Sequence, residues 1–331
     1  MSSSRLDVLA IGNAIVDVIA DASDDFVSAQ GVPKGSMRLI DQAEATRLYQ
    51  AMGPARELSG GSAANTVAGL AALGLGAGFI GQIADDQLGQ IFTHDIRSLG
   101  VAFDTPPRTD VGATARCLIL VTPDAQRTMN TFLGAAQMLE TRAVDPARIA
   151  AARTLYLEGY LWDPDAARAA MLAAMDAARA AGTKVAFTLS DSFVVDRHRG
   201  DLAQLLDQGR IDILFANEAE ILQLAGAVDL AAAVSAVAPK VATLVVTRGE
   251  QGALAASGGA IAEVAAEPIE RLVDTTGAGD LFAAGFLAGE ARGLGLERSL
   301  KLGAIAAAEV IQHYGARPEA DLKALACELL A

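Results

Sequence analysis

The sequence predicts an α/β fold, in which a mostly parallel sheet is covered by helices on both faces and carries a small β-sheet lid. Three observations support this. Short apolar runs alternate with longer stretches of helical periodicity through most of the 331 residues. The runs are continuous, as expected of strands buried on both faces. Two regions, about 13–58 and about 103–134, break the rhythm, and in the second Pro106-Pro107 precedes an alternating segment from Thr114 to Thr122. Those regions supply the lid, and with no repeat or linker the chain, 1–331, reads as one domain.

Val8-Leu9-Ala10-Ile11-Gly12 reads as the first strand, and further strands are expected at 77–83, 117–121, 154–157, 185–189, 211–215 and 243–246. Helices are expected at 63–73, 87–99, 164–181, 219–225 and 281–292. The second of these places Leu88, Ile91, Phe92, Ile96 and Leu99 on one face.

Composition narrows the function. A hydrophobic share of 52% provides for a substantial core, while aromatics make up only 5%. Abundant alanine and glycine favour closely packed helices and tight turns over base-stacking platforms. A net charge of −14 without a Lys/Arg-rich run repels nucleic acid and anionic lipid, so neither is an expected partner. Any anionic ligand has to be held by local groups.

Cys117 and Cys327 lie far apart, and His94, His198 and His313 are scattered, so structural zinc is not expected and a reducing compartment is. The N-terminal apolar segment is interrupted by Asn13 and Asp17, unlike a signal peptide, which predicts a cytoplasmic location. Residues 58–84 carry no charge, but Gly60-Gly61-Ser62, Asn65 and Thr66 make them loop, buried helix and strand rather than a membrane span. Gly76 to Gly81 satisfies GxGxxG but follows a helix and leads into a strand, the reverse of dinucleotide-binding order. No Walker A sequence occurs.

The run Leu272-Val273-Asp274-Thr275-Thr276-Gly277-Ala278-Gly279-Asp280 reads as a strand end, a turn of small residues and the start of a helix. Such a junction presents backbone N–H groups without partners, and the helix dipole adds positive potential. It suits a phosphate or a developing anion. Asp280 stands at its mouth, where a carboxylate can take the proton of an attacking hydroxyl. Read alone, Asp280 serves equally well as a helix cap.

Asp-Thr-x-Gly-Ala-Gly-Asp before a helix of small and aromatic residues resembles the C-terminal signature of the ribokinase or PfkB carbohydrate kinase family. Further marks follow the family order: Gly12 and Asp17, then Gly60-Gly61-Ser62-Ala63-Ala64-Asn65, Gly81, Asp85-Asp86-x-x-Gly89, and Asn217-Glu218-Ala219-Glu220. They span residues about 8–318.

The resemblance implies a ribokinase-like three-layer α/β/α fold and an ATP-dependent phosphotransferase, with ATP as co-substrate and magnesium. It gives Asp280 the role of base, and gives the N–H groups of Gly277, Ala278 and Gly279 the charge developing on the transferred phosphoryl. Losing one such donor costs about 10²–10³ in rate. Asn13, Asp17, Gly60, Gly61 and Asn65 would hold the acceptor. Asn217, Thr247 and Gly249, with Gly277 and Gly279, would line the ATP site. Asn217 and Glu220 would hold magnesium, directly or through water, and Asp274 with backbone from 311–317 a monovalent cation such as potassium. Each also has a structural alternative: a turn at Asp17, a capping Asn217 beside an exposed Glu220, an ordinary β-turn at Thr247-Arg248-Gly249.

Within the family the N-terminal third looks most like the adenosine kinase subgroup, through Gly12-Asn13-x-x-x-Asp17-Val18, Asp24-Asp25-Phe26 and Gly-Gly-Ser-x-x-Asn. The segments 112–117 and 130–136 add to that likeness. Arg116 stands where a small residue is expected, which admits an acidic sugar if its side chain faces the pocket. Three readings follow: an adenosine kinase-like enzyme, a sugar kinase for ribose, fructose or 2-keto-3-deoxygluconate, and a non-catalytic nucleoside-binding protein. A monomer or homodimer is expected.

Overall fold

The computed structural model describes residues 5–124 and 126–330. Strand Leu6–Ile11 lies between two parallel neighbours, Ala77–Ile80 and Ala152–Glu158. Its alternate side chains enter opposite halves of the core, Val8 and Ala10 on one face and Leu9 and Ile11 on the other. This is why the run is apolar at every position.

The large sheet has nine strands, in the order Ala260–Val264, Ala253–Ser257, Thr243–Thr247, Ile213–Asn217, Lys184–Thr188, Ala152–Glu158, Leu6–Ile11, Ala77–Ile80 and Ala102–Phe103. The first two of these form an antiparallel hairpin, and the rest pair in parallel. Helices Ser62–Ala72, Gln87–Ser98, Ala278–Ala291 and Leu296–Val310 cover one face. Asp165–Ala181, Ser192–Asp207, Glu218–Ala225 and Leu230–Val237 cover the other. The three-layer α/β/α expectation therefore holds.

A second, five-stranded sheet runs in the order Met37–Leu39, Arg127–Phe132, Ala115–Val121, Ile15–Asp21 and Ala55–Gly60. The pairing Asp17↔Cys117 and Cys117↔Thr131 puts these three residues on one face, together with Ile15, Ile19, Ile119 and Met129.

The richness in small residues has a local consequence. A Cβ at Gly69 would come within 2.6 Å of Leu281 Cδ1 and 2.8 Å of Ala284 Cβ, so helices Ser62–Ala72 and Ala278–Ala291 meet almost backbone to backbone. Helix Ala278–Ala291 is buried on every side from Leu281 to Gly289, which explains its apolar composition all round.

Three expectations need correction. Leu272-Val273 is not a strand end: the segment is extended loop, held by Val273 and Asp274 N–H groups donating to the Ile311 carbonyl, and Leu272 is exposed. Leu99 lies past the end of helix Gln87–Ser98 and is exposed, because Gly100 turns the chain. The run 77–83 is strand only to Ile80, which pairs with Ile11, the last residue of the neighbouring strand. Among the described residues no single helix is long and apolar enough to cross a membrane.

Candidate active site

The carboxyl ends of the parallel strands converge on one edge. Thr247 and Asn217 are register partners there, Thr188 ends the next strand, and Glu158 and Ile11 end the two beyond it. Open α/β sheets bind ligands at this edge.

Asp280 sits in the first turn of helix Ala278–Ala291, and that helix has no side-chain cap. Its carboxylate instead reaches across to the facing helix, accepting from Ser62 Oγ at 2.6 Å and Asn65 Nδ2 at 2.9 Å. The capping alternative is therefore set aside. Burial raises the Asp280 pKa from its ordinary value, against the Ser62 and Asn65 hydrogen bonds and the Arg317 charge. Such a carboxylate holds a proton more readily than an exposed one.

The turn before it has a defined set of unused donors. Thr276 N donates to Asp274 Oδ1 at 3.0 Å and Ala278 N to the Thr275 carbonyl at 3.2 Å. Ala278 is thus not one of the free donors, contrary to expectation. Among the described residues the N–H groups of Gly277, Gly279 and Asp280 meet no protein acceptor. Gly277 has φ +82°, and a Cβ there would lie 2.6 Å from Ala316 Cβ. At Gly279 a Cβ would meet nothing within 4 Å, so the space beside the free N–H groups is open. These residues fit a phosphate.

On the acceptor side, no protein donor among the described residues reaches the Asp17 carboxylate. Burial pushes its pKa up to about 6, with Arg127 and Arg317 opposing the rise. Gly60 packs so closely that a Cβ would overlap that carboxylate, and Gly61, at φ +96°, leaves no room between itself and the Asn13 carbonyl. Asn65 Oδ1 is buried without a partner. Asp17 and Asn65 thus present acceptors that nothing in the chain satisfies.

Asn13 is buried and turned the other way. Its N–H and Nδ2 both donate to Glu158 Oε1, at 2.7 and 2.6 Å, while Ala63 N donates to Oε2 at 2.8 Å. Sequence reading missed Glu158, although a carboxylate ending the apolar run 154–157 was a signal available to it. Burial pushes its pKa up to about 7 against those three bonds. Arg317, also missed, clamps the Gly60-Gly61 approach through the Ser59 and Ala64 carbonyls.

Asn217 and Glu220 form a capping box. Asn217 Oδ1 accepts from Glu220 N at 2.8 Å, and Glu220 accepts from Asn217 N at 2.9 Å and Nδ2 at 2.7 Å. The capping alternative holds for Asn217, but Glu220 is buried rather than exposed, and burial pushes its pKa up to about 7. An uncompensated buried carboxylate suits a hydrated cation. No cluster of three or more His, Cys, Asp or Glu able to hold a metal occurs among the described residues, so the donor set fits magnesium through water rather than a protein cage. Thr247 ends its strand beside Asn217, and Gly249 opens the following turn at φ +58°.

Two arginines of the smaller sheet point to different partners. Arg116 lies on the opposite face of the lid strand from Asp17, donating to Thr46 Oγ1 at 3.0 Å and packing near the Tyr49 and Phe132 rings. It does not face the site. Arg127, which no sequence pattern singled out, bonds Asp274 and lies 3.0 Å from Thr276 Oγ1. Gly315 N also donates to Asp274 Oδ2, at 3.2 Å. Both oxygens of Asp274 face donors, so it does not fit a monovalent cation.

A proton-accepting carboxylate beside an open phosphate cradle, with hydroxyl acceptors opposite, defines a phosphotransferase that moves a phosphoryl group to an alcohol. Residues 44–322 match the profile of the pfkB family carbohydrate kinases, and the chain belongs to that family; it is an ATP-dependent kinase of a nucleoside or sugar. It is 47% identical to an adenosine kinase from Sinorhizobium meliloti, with a TM-score of 0.90 over 98% of this chain and 99% of that one. A probable sugar kinase from Rhizobium etli, 46% identical, superposes with a TM-score of 0.91 over 98% of each chain. This chain is also 27% identical to the adenosine kinase of Saccharomyces cerevisiae, over 93% of its own length and 95% of that protein.

Proposed function

We propose that the acceptor is adenosine, phosphorylated at its 5′-hydroxyl by ATP. The observation that carries this reading is the lid face above Asp17. Cys117, Ile119 and Val121, all buried, with the partly buried Ile15, Ile19 and Met129 against them, make an apolar face on the side of the sheet that bears the carboxylate. A purine offers an apolar face to such a surface, whereas a free sugar carries hydroxyls nearly all round. Arg116 is turned away and Arg127 is paired with Asp274, so neither of these two arginines is offered to a sugar acid. The similarity to proteins named adenosine kinase supports the same acceptor.

In this reading Asp17 and Asn65 accept hydrogen bonds from ribose hydroxyls, and Asp280 takes the 5′-hydroxyl proton as oxygen attacks. The N–H groups of Gly277, Gly279 and Asp280 stabilise the charge developing on the phosphoryl group. Asn13 and Glu158 act one layer back: Glu158 fixes Asn13 and Ala63, and so the entry of the helix that carries Asn65. Thr247 and Gly249 border the nucleotide. Magnesium supplies charge neutralisation on the phosphates when bound, and Asn217 and Glu220 would hold it through water. A cytoplasmic location and a monomeric or homodimeric state are part of this proposal.

A screen of purified protein with ATP against adenosine, other nucleosides, ribose, fructose and keto-deoxy-gluconates tests the reading. Adenosine should be the preferred acceptor by kcat/KM. Phosphorylation of a free sugar with none of adenosine would overturn it in favour of a sugar kinase, for which the likeness to a Klebsiella pneumoniae fructokinase speaks.

A further inference from the structure

We infer that Arg127 is the built-in counter-ion of Asp274, so that the lid itself, and not a bound monovalent cation, holds the phosphate-binding turn in shape. The two residues lie 147 positions apart, on the lid strand Arg127–Phe132 and on the turn before helix Ala278–Ala291. Both side chains are almost fully buried, at 7% and 5% exposure. Nη1 of Arg127 bonds Asp274 Oδ2 and also Thr276 Oγ1, at 3.0 Å, so one guanidinium ties both residues of the turn to the lid.

Asp274 is the residue the family resemblance would assign to a monovalent ion. Coordination needs carboxylate lone pairs facing the ion, and here they face Thr276 N, Gly315 N and the guanidinium. A second cation at Oδ2 would sit against a fixed positive charge in a buried setting, where like charges repel strongly. The same bond has a mechanical consequence. Asp274 Oδ1 receives Thr276 N directly ahead of the free N–H groups of Gly277 and Gly279, so the bond from Arg127 bears on the shape of the cradle.

The inference rests on the kinase chemistry but not on the identity of the acceptor. The test uses the purified protein at constant ionic strength in potassium chloride and in choline chloride. Two signals are read: the rise in melting temperature on adding magnesium–ATP, and the initial rate of phosphoryl transfer. Both should agree between the salts within about twofold. Arg127→Gln should lower the rate at least about tenfold, and Arg127→Lys, which keeps the charge but not the fork, should fall between. Guanidinium chloride at millimolar concentration should restore part of the Arg127→Ala activity.

A wild-type rate more than about fivefold higher in potassium, or a nucleotide-induced melting shift seen only in potassium, would overturn the inference. So would an Arg127→Gln variant with wild-type rate. If a variant fails to fold, the salt comparison on the wild type decides alone. If no acceptor is phosphorylated, the melting arm still decides, which separates this inference from the adenosine reading.

Discussion

Asp280 and Gly279 do different work within two residues of chain. Asp280→Asn keeps the size of the side chain and its reach to Ser62 and Asn65 but removes the base. Acceptor binding should survive while kcat falls about 10²–10⁴-fold, and turnover within tenfold of wild type in steady-state assays would exclude Asp280 as the base. Gly279→Ala places a methyl in the open space beside the free N–H groups. The melting temperature should hold, while kcat/KM for ATP drops about 10²-fold. Gly277→Ala is the contrasting case, because its φ of +82° and the Ala316 contact make the cost structural, about 1–3 kcal/mol in thermal or denaturant unfolding. Both glycines look alike in sequence; only their surroundings separate them.

At the level of the element, the capping box at the start of helix Glu218–Ala225 performs two tasks that a single substitution can divide. Glutamine fills the same box position as glutamate, so Glu220→Gln should preserve helix entry and leave stability within about 1 kcal/mol. It also removes the buried charge proposed to face hydrated magnesium. The magnesium concentration giving half-maximal rate should rise about tenfold, in line with losses from outer-shell ligand changes. An unchanged magnesium profile would leave Glu220 as a cap only.

Over the whole molecule, the protein carries four buried carboxylates whose pKa values burial raises: Asp17 to about 6, Glu158 to about 7, Glu220 to about 7, and Asp280. From about pH 4 to about pH 7 the folded state therefore binds more protons than the unfolded state, and stability falls as pH rises through that window. Asp110 and Asp124, held down to about 2 by Arg108 and Lys34, act only below the ordinary carboxylate range and do not offset this. The melting temperature should be higher at pH 5.5 than at pH 8, and Glu158→Gln should flatten the difference. A melting temperature that climbs with pH across this interval would contradict the burial of these charges. Acceptor binding should show the opposite trend, weakening below about pH 6 as Asp17 takes up a proton and loses acceptor capacity.

The parallel strands, the helices that cover them and the small-residue turn were legible in the chain because their causes are local. Burial on both faces makes strands apolar throughout, helices repeat every 3.6 residues, and free N–H groups need only glycine and a helix start. The false strand at Leu272-Val273 shows the limit of that reading, since two apolar residues cannot tell a ladder from a loop pinned by the Ile311 carbonyl. What the chain order could not convey are contacts between distant residues. Ser62 meets Asp280 across 218 positions because Gly69 lets two helices close together, and this contact draws the carboxylate away from its own helix start toward the facing helix. A strand's register decides that Arg116 faces Thr46 while Arg127 faces Asp274. Side-chain direction at a lid is set by pairing and packing, and these depend on the whole molecule.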